Sequence, residues 1–178
     1  MKYFKQLLAL SIVLSFATSH LYASSRPIRG RSGMVISEKV LASEAGLSVL
    51  QAGGNAVDAA VATGLALAVT RPGAGNIGGG GFMVIRLADG TVTTIDFREI
   101  APSGSYRDMF LDDSMNVIEG KSWQTSSAAG VPGSVAGFGM AHEKYGSTNW
   151  RDLLKPAVEL ASNGFPLDYQ NTVSYTHL

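Results

Sequence analysis

The 178-residue chain contains no cysteine, which excludes disulfides, zinc–thiolate centres and a cysteine nucleophile. It also has no net charge: 14 Lys and Arg balance 14 Asp and Glu, so a basic nucleic-acid-binding stripe is not expected. Histidine is scarce, with only His20, His142 and His177, and no two stand at His-x-x-x-His spacing. Asp112 and Asp113 are adjacent, but no EF-hand spacing follows them, so they read as a solvated loop and no metal is expected. There is no Gly-x-Ser-x-Gly elbow on which to build an α/β-hydrolase triad. No apolar run reaches the roughly 20 residues of a membrane-spanning helix, so no stable membrane anchor is expected. Internal repeats and low-complexity tracts are also lacking.

What the chain does have begins with a leader. "MKYFK" is a positive start, "QLLALSIVLSFA" a short apolar run, and "LYA" ends on the small residue Ala23. Residues 1–23 read as a secretory signal peptide, which implies a periplasmic or secreted protein. Residues 24–32, "SSRPIRGRS", read as a mobile polar leader.

From residue 33 the pattern is mixed. "GMVISE" reads as a short strand, with Ser37 as cap for a helix through "EKVLASEAGLSVLQAGG". Val40, Leu41, Ala45, Leu47 and Leu50 form the apolar face of that helix, and Gly53 and Gly54 stop it. Asn55 is a good N-cap for a second helix, with Asp58 in its first turn. That helix is apolar on all sides from Ala59 to Val69, as a central helix is. A short helix is expected at Arg107–Leu111. Another should be capped by Ser134 and ended by Gly146. Two helical pieces should follow up to Gly164, with Pro156 in a first turn.

Glycine is abundant, at 21 residues, and concentrates in "GAGNIGGGGF", Gly73–Phe82. A phosphate-binding loop would need Gly-Lys-Ser/Thr opening a helix. No lysine follows here, and "FMVIRL" is strand-like. The run therefore reads as a crowded turn feeding a buried strand. "FMVIRLADGTVTTIDFRE" reads as a hairpin about Asp89–Gly90. In its second strand Thr91, Thr93, Ile95 and Phe97 share the more apolar face, while Val92, Thr94, Asp96 and Arg98 share the other. Arg98 thus stands on the polar face at a strand end, where Asp96, on the same face, could pair with it and Glu99, on the opposite face, could orient the segment. On these grounds it is either a solvated surface charge or a grip for a substrate carboxylate.

"GGNAVDAAVA", "GNIGGGGFM", "DFREIAP" and "GVPGSVAGF" occur in that order, with "RDMFLDD" among them. Together they resemble the N-terminal part of the large subunit of the γ-glutamyltranspeptidase (γ-glutamyltransferase) family, over about Gly33 to Pro166. The resemblance implies an α+β chain forming part of an αββα N-terminal-nucleophile hydrolase sandwich, incomplete here. It implies a zymogen that cleaves itself into two subunits. The new N-terminal threonine of the small subunit then attacks the γ-glutamyl amide. The acyl group passes from glutathione or another γ-glutamyl donor to water, an amino acid or a peptide. No cofactor is implied. The expected partners are γ-glutamyl compounds and the small subunit. The arginine of the matched "DFRE" motif binds the substrate α-carboxylate, a role that falls on Arg98.

No catalytic residue is expected within this chain, because the family's nucleophile lies in the small subunit. The polypeptide by itself is accordingly expected to be inactive and not to fold alone. Residues 33–168 are read as large-subunit sequence. Residues 169–178 are read as a divergent tail, with an artefactual origin left open. The Thr176–His177 pair matches the family's processing site only in those two letters and is read as coincidence. Two alternatives stay open: a related N-terminal-nucleophile acylase, and a secreted, non-catalytic amino-acid-binding module.

Overall fold

The computed structural model describes residues 27–74 and 77–176. It divides into two units, Met1–Ser32 and Gly33–Leu178. In the first unit only residues 27–32 are described, as exposed backbone without regular structure. The expected signal peptide at 1–23 lies outside the described residues, as do Gly75 and Asn76 of the glycine run and His177.

The second unit is a mixed α and β arrangement. Among the described residues its elements are α1 (Val40–Gln51), α2 (Ala56–Thr70), strands β1 (Phe82–Arg86) and β2 (Val92–Asp96), a 3-10 turn at Ser126–Ala128, α3 (Ser134–Tyr145), α4 (Trp150–Asn163) and α5 (Tyr169–Thr176). The expected strand at 33–38 is not one. The segment has no ladder partner among the described residues, and Ile36 stays 81% exposed.

The helix α2 is the centre, as its apolar circumference requires. Val57, Val61, Ala62, Leu65 and Ala66 are buried within it. Val61, Ala62 and Leu65 pack with Val49 of α1 and with Leu153 and Ala157 of α4. Val57, one turn before Val61, packs with Ala141 of α3 and with Ile85 and Ile95 of the hairpin. Ala42, Ala45 and Ala66 close the α1–α2 contact.

The buried face of α1 differs from the expected one. Ala42, Ala45, Gly46 and Val49 are buried, while Val40 and Leu47 are exposed. The reason is proximity: a Cβ on Gly46 would lie 2.1 Å from Thr63 Oγ1 and 2.9 Å from the Ala59 carbonyl. The two helices meet closer than leucine allows, so small residues line the seam. Gly64 has the same role on the opposite flank, where a Cβ would fall 2.5 Å from the Phe138 ring.

Helix ends follow local chemistry with three corrections. Asn55 caps α2, as read from the sequence, and Asp58, expected only as a first-turn charge, completes a reciprocal capping box with it. Gly53 ends α1 at φ +95°. Ser37, however, does not cap α1. Its hydroxyl donates to the Lys39 carbonyl at 2.8 Å and pairs with the Ser43 hydroxyl. Ser134 is the first residue of α3 and not its cap. The Gly79 carbonyl takes the N–H groups of both Gly133 (2.9 Å) and Ser134 (3.0 Å) instead. The two expected pieces before Gly164 are one helix, α4, with Pro156 inside it. Pro156 forfeits one helical hydrogen bond, but burial of Leu153 and Ala157 and the Asn149 cap hold the helix together.

The expected helix at Arg107–Leu111 is a pair of hydrogen-bonded turns. Asp112 then folds its carboxylate back on the N–H groups of Ser114 (2.9 Å) and Asn116 (2.8 Å), which confirms the loop reading of Asp112–Asp113. At the far end, α5 is tied to the body. Asp168 pairs with the buried Lys39, and Asn171 Nδ2 donates to the Thr70 carbonyl at 3.0 Å.

Candidate functional site

The β1–β2 hairpin is antiparallel, with Phe82 opposite Asp96 and Arg86 opposite Val92. Gly90 takes φ +91° at the turn, as Asp-Gly predicted. The two faces sort as expected except at Thr91, which is exposed beside the turn: Ile95 is buried and Thr93 and Phe97 half-buried, while Val92, Thr94, Asp96 and Arg98 are exposed. The strand β1 is less buried than expected. Only Ile85 is covered fully, and Phe82 and Val84 stand 64% and 72% exposed on the face away from the helices.

Past β2 the chain continues into Phe97–Ile100, and this short segment gathers two other motifs, the glycine run and "GVPGSVAGF". On one side lies the glycine run. Phe97 N–H donates to the Gly81 carbonyl at 2.9 Å, and Gly81 N–H returns to the Phe97 carbonyl at 3.3 Å. On the other side lies "GVPG". Val131 N–H donates to the Ile100 carbonyl at 2.9 Å, and Ile100 N–H returns at 3.4 Å. From below, the Phe97 ring meets Phe138 of α3 edge-on, with centroids 5.7 Å apart. Gly79 and Gly81 thus bond to the chain's own backbone, as a crowded turn does.

Arg98 leaves this segment toward solvent, its side chain 66% exposed. The expected roles of its two acidic neighbours are exchanged: Glu99 and not Asp96 pairs with the guanidinium, Arg98 Nε lying 2.9 Å from Glu99 Oε2. Asp96 does not pair with the guanidinium. Its Oδ1 accepts the Arg98 backbone N–H at 3.0 Å and so fixes the turn from which the side chain departs. An ion pair this exposed is worth no more than about 1 kcal/mol. It orients the guanidinium without consuming it, and an incoming carboxylate can compete for it with a planar fork of N–H donors. Beside the segment opens a cavity of about 550 Å³, lined by Glu99, Ile100, Tyr106, Met109 and Phe110 among others. Arg98 stands outside its lining.

His142 is held within the fold: its Nε2 pairs with the Thr148 carbonyl at 2.8 Å, and its ring tilts against Trp150. Among the described residues, no three His, Asp or Glu side chains gather as a metal would require. No helix of the described residues is long and apolar enough to cross a membrane. The sequence reading missed the convergence on Phe97–Ile100. Its only signal was a glycine run that fitted no ligand motif.

Residues 42–176 match the family described as Gamma-glutamyltranspeptidase. The chain is 53% identical over 139 residues to the glutathione hydrolase proenzyme of Escherichia coli K12, covering 78% of this chain and 24% of that protein. It is 50% identical over 160 residues to the glutathione hydrolase proenzyme of Pseudomonas sp. strain A14, covering 89% of this chain and 28% of that protein. Among solved structures, the Helicobacter pylori gamma-glutamyltranspeptidase superposes with a TM-score of 0.81 at 48% identity, covering 84% of this chain and 43% of that one. The chain thus spans about a quarter of the length of these curated relatives.

Proposed function

Because the chain belongs to the γ-glutamyltranspeptidase family, we propose that it is the N-terminal part of the large subunit of an exported γ-glutamyltransferase, with Arg98 as its grip on the substrate α-carboxylate. In this reading residues 1–23 are the export signal, 24–32 a leader, 33–168 large-subunit sequence and 169–178 a tail. The protein works in the periplasm or outside the cell. A small subunit, released by self-cleavage of the same precursor, supplies the catalytic threonine.

The reaction follows from that division of labour. The threonine α-amine, whose reference pKa is roughly 8, takes the proton of its own hydroxyl. The freed oxygen attacks the γ-carbonyl of glutathione or another γ-glutamyl donor. The C–N bond breaks, the amine leaves with a proton, and a γ-glutamyl ester remains on the threonine. Water, an amino acid or a peptide then takes the acyl group. Arg98 holds the α-carboxylate at the far end of the glutamyl chain and thereby sets where the γ-carbonyl lies.

The observation that carries this reading is the setting of Arg98. It is an exposed guanidinium at a strand end, launched from a segment on which the family-matching motifs converge and steadied by Glu99. The αββα architecture is supported by the hairpin, which has helices on one face and exposed Phe82, Val84 and Val92 on the other, where a second sheet would lie.

The test is direct. The purified product of the complete reading frame is assayed with a γ-glutamyl anilide, and release of the aniline is expected. A self-cleaved protein that leaves the anilide intact would overturn the proposal and favour the non-catalytic binding module. Equal release from an anilide without the α-amino-acid head would favour the acylase.

A further inference from the structure

We infer that Gly80, Gly81 and Gly133 are positioning residues for the Arg98 guanidinium: they let two backbone segments clamp the Phe97–Glu99 peptides and so fix where the arginine side chain starts. The inference rests on the assignment of Arg98 as the carboxylate-binding residue.

A Cβ on Gly133 would lie 2.0 Å from the Phe97 carbonyl oxygen and 2.8 Å from its carbon. A Cβ on Gly80 would lie 2.5 Å from the same oxygen, 2.6 Å from the Glu99 nitrogen and 2.9 Å from the Arg98 carbonyl carbon. These are contacts with backbone, which cannot rotate away as a side-chain tip can. Gly81 is the mild member, since its Cβ would meet the Phe97 ring edge at 3.0 Å. None of the three lies in the left-handed φ region. Glycine is required at these positions for space alone and not for conformation.

The consequence reaches Arg98 because little else holds it. Its side chain is 66% exposed and has no packed walls to orient it. Its direction is set by the backbone from which it springs, by the Asp96 carboxylate on its N–H and by Glu99 on its Nε. A methyl group at position 133 or 80 must push the Phe97–Glu99 backbone aside. A displaced guanidinium grips the α-carboxylate less well in the ground state and the transition state alike, so the loss appears in KM.

The experiment uses the complete, self-cleaved protein carrying Gly81→Ala, Gly80→Ala or Gly133→Ala. Gly104→Ala and Gly139→Ala serve as controls, because a Cβ at either would touch nothing within 4 Å. Each variant is compared on two donors: a γ-glutamyl anilide, and the 4-aminobutyryl anilide, which keeps the amine but lacks the α-carboxylate. The expected result is a KM for the γ-glutamyl donor raised about threefold in Gly81→Ala and at least about tenfold in Gly80→Ala and Gly133→Ala, with kcat within about twofold. The aminobutyryl donor and both controls should be unaffected. Adding Gly133→Ala to Arg98→Ala should change nothing further, because both act on one contact. Equal losses on both donors would overturn the inference, because they would mark general damage. So would an unchanged KM in all three variants while Arg98→Ala raises it. If Arg98→Ala itself fails to raise KM, the proposed function of Arg98 falls instead. If the two severe variants fail to mature, Gly81→Ala carries the same readout.

Discussion

Replacing Arg98 with alanine is expected to raise KM for γ-glutamyl donors by about 10- to 150-fold, the equivalent of a charge-assisted pair worth roughly 1.5–3 kcal/mol. The split between KM and kcat follows from where the contact lies. The α-carboxylate is separated from the scissile carbonyl by the length of the glutamyl side chain, and its charge does not change during the reaction. On the proposed reading Arg98 holds the ground state and the transition state about equally, and such a contact appears in KM. Lysine at the same position should recover only part of the loss, since an ammonium cannot present the planar fork that matches a carboxylate. Steady-state kinetics on the matured protein checks both variants. A kcat that collapses at constant KM would mean that Arg98 acts on the reacting carbonyl and not on the head group.

The second large effect concerns the fold. Asp58 is fully buried at the start of α2, yet it is a carboxylate with several donors. The Asn55 N–H reaches Oδ2 at 2.9 Å, the Ser147 hydroxyl reaches it at 2.7 Å, and the Ser147 N–H lies 3.1 Å from both oxygens. Burial pushes this carboxyl upward. The Ser147 hydroxyl and the N–H groups of Asn55, Ser147 and Thr148 outweigh it, so the group titrates below the ordinary carboxylate range. Asp58→Asn keeps the shape but turns an NH₂ toward N–H donors. It is expected to cost about 3 kcal/mol, read as a lowered denaturation midpoint of the complete protein.

The same residue predicts a pH dependence. The unfolded chain takes up the proton at a higher pH than the folded one. The contribution of Asp58 is therefore complete above the unfolded carboxylate value of about 3.9, and it drains away as pH falls through the lowered folded value. The stability gap between wild type and Asp58→Asn should accordingly narrow in acid. A gap that stays constant from neutral pH to pH 3 would contradict the charge-based account.

These two residues mark how far the sequence could be read. The Asn55 cap with Asp58 in the first turn, the Asp89–Gly90 turn and the face of β2 that carries Arg98 are matters of spacing within a few residues. They appeared where spacing put them. The features that escaped depend on partners far along the chain. Ser147, which completes the Asp58 site, stands 89 residues away. The small-residue face of α1 is dictated by Thr63 of the neighbouring helix, and large apolar residues nearby gave the opposite impression. Pro156 reads locally as a helix start, but burial of Leu153 and Ala157 carries the helix through it. At the candidate site, Arg98 could be placed on its face from the strand period, whereas its partner could not. Asp96 shares its face and was the expected pair, but the turn after β2 commits the Asp96 carboxylate to the backbone and leaves the guanidinium to Glu99.

The most direct test is a crystal of the matured complete protein soaked with a γ-glutamyl ligand. The α-carboxylate should lie within about 3.2 Å of the Arg98 guanidinium nitrogens, with the γ-carbonyl facing the small-subunit threonine. A ligand bound with its head group away from Arg98, in a fully occupied site, would contradict the account.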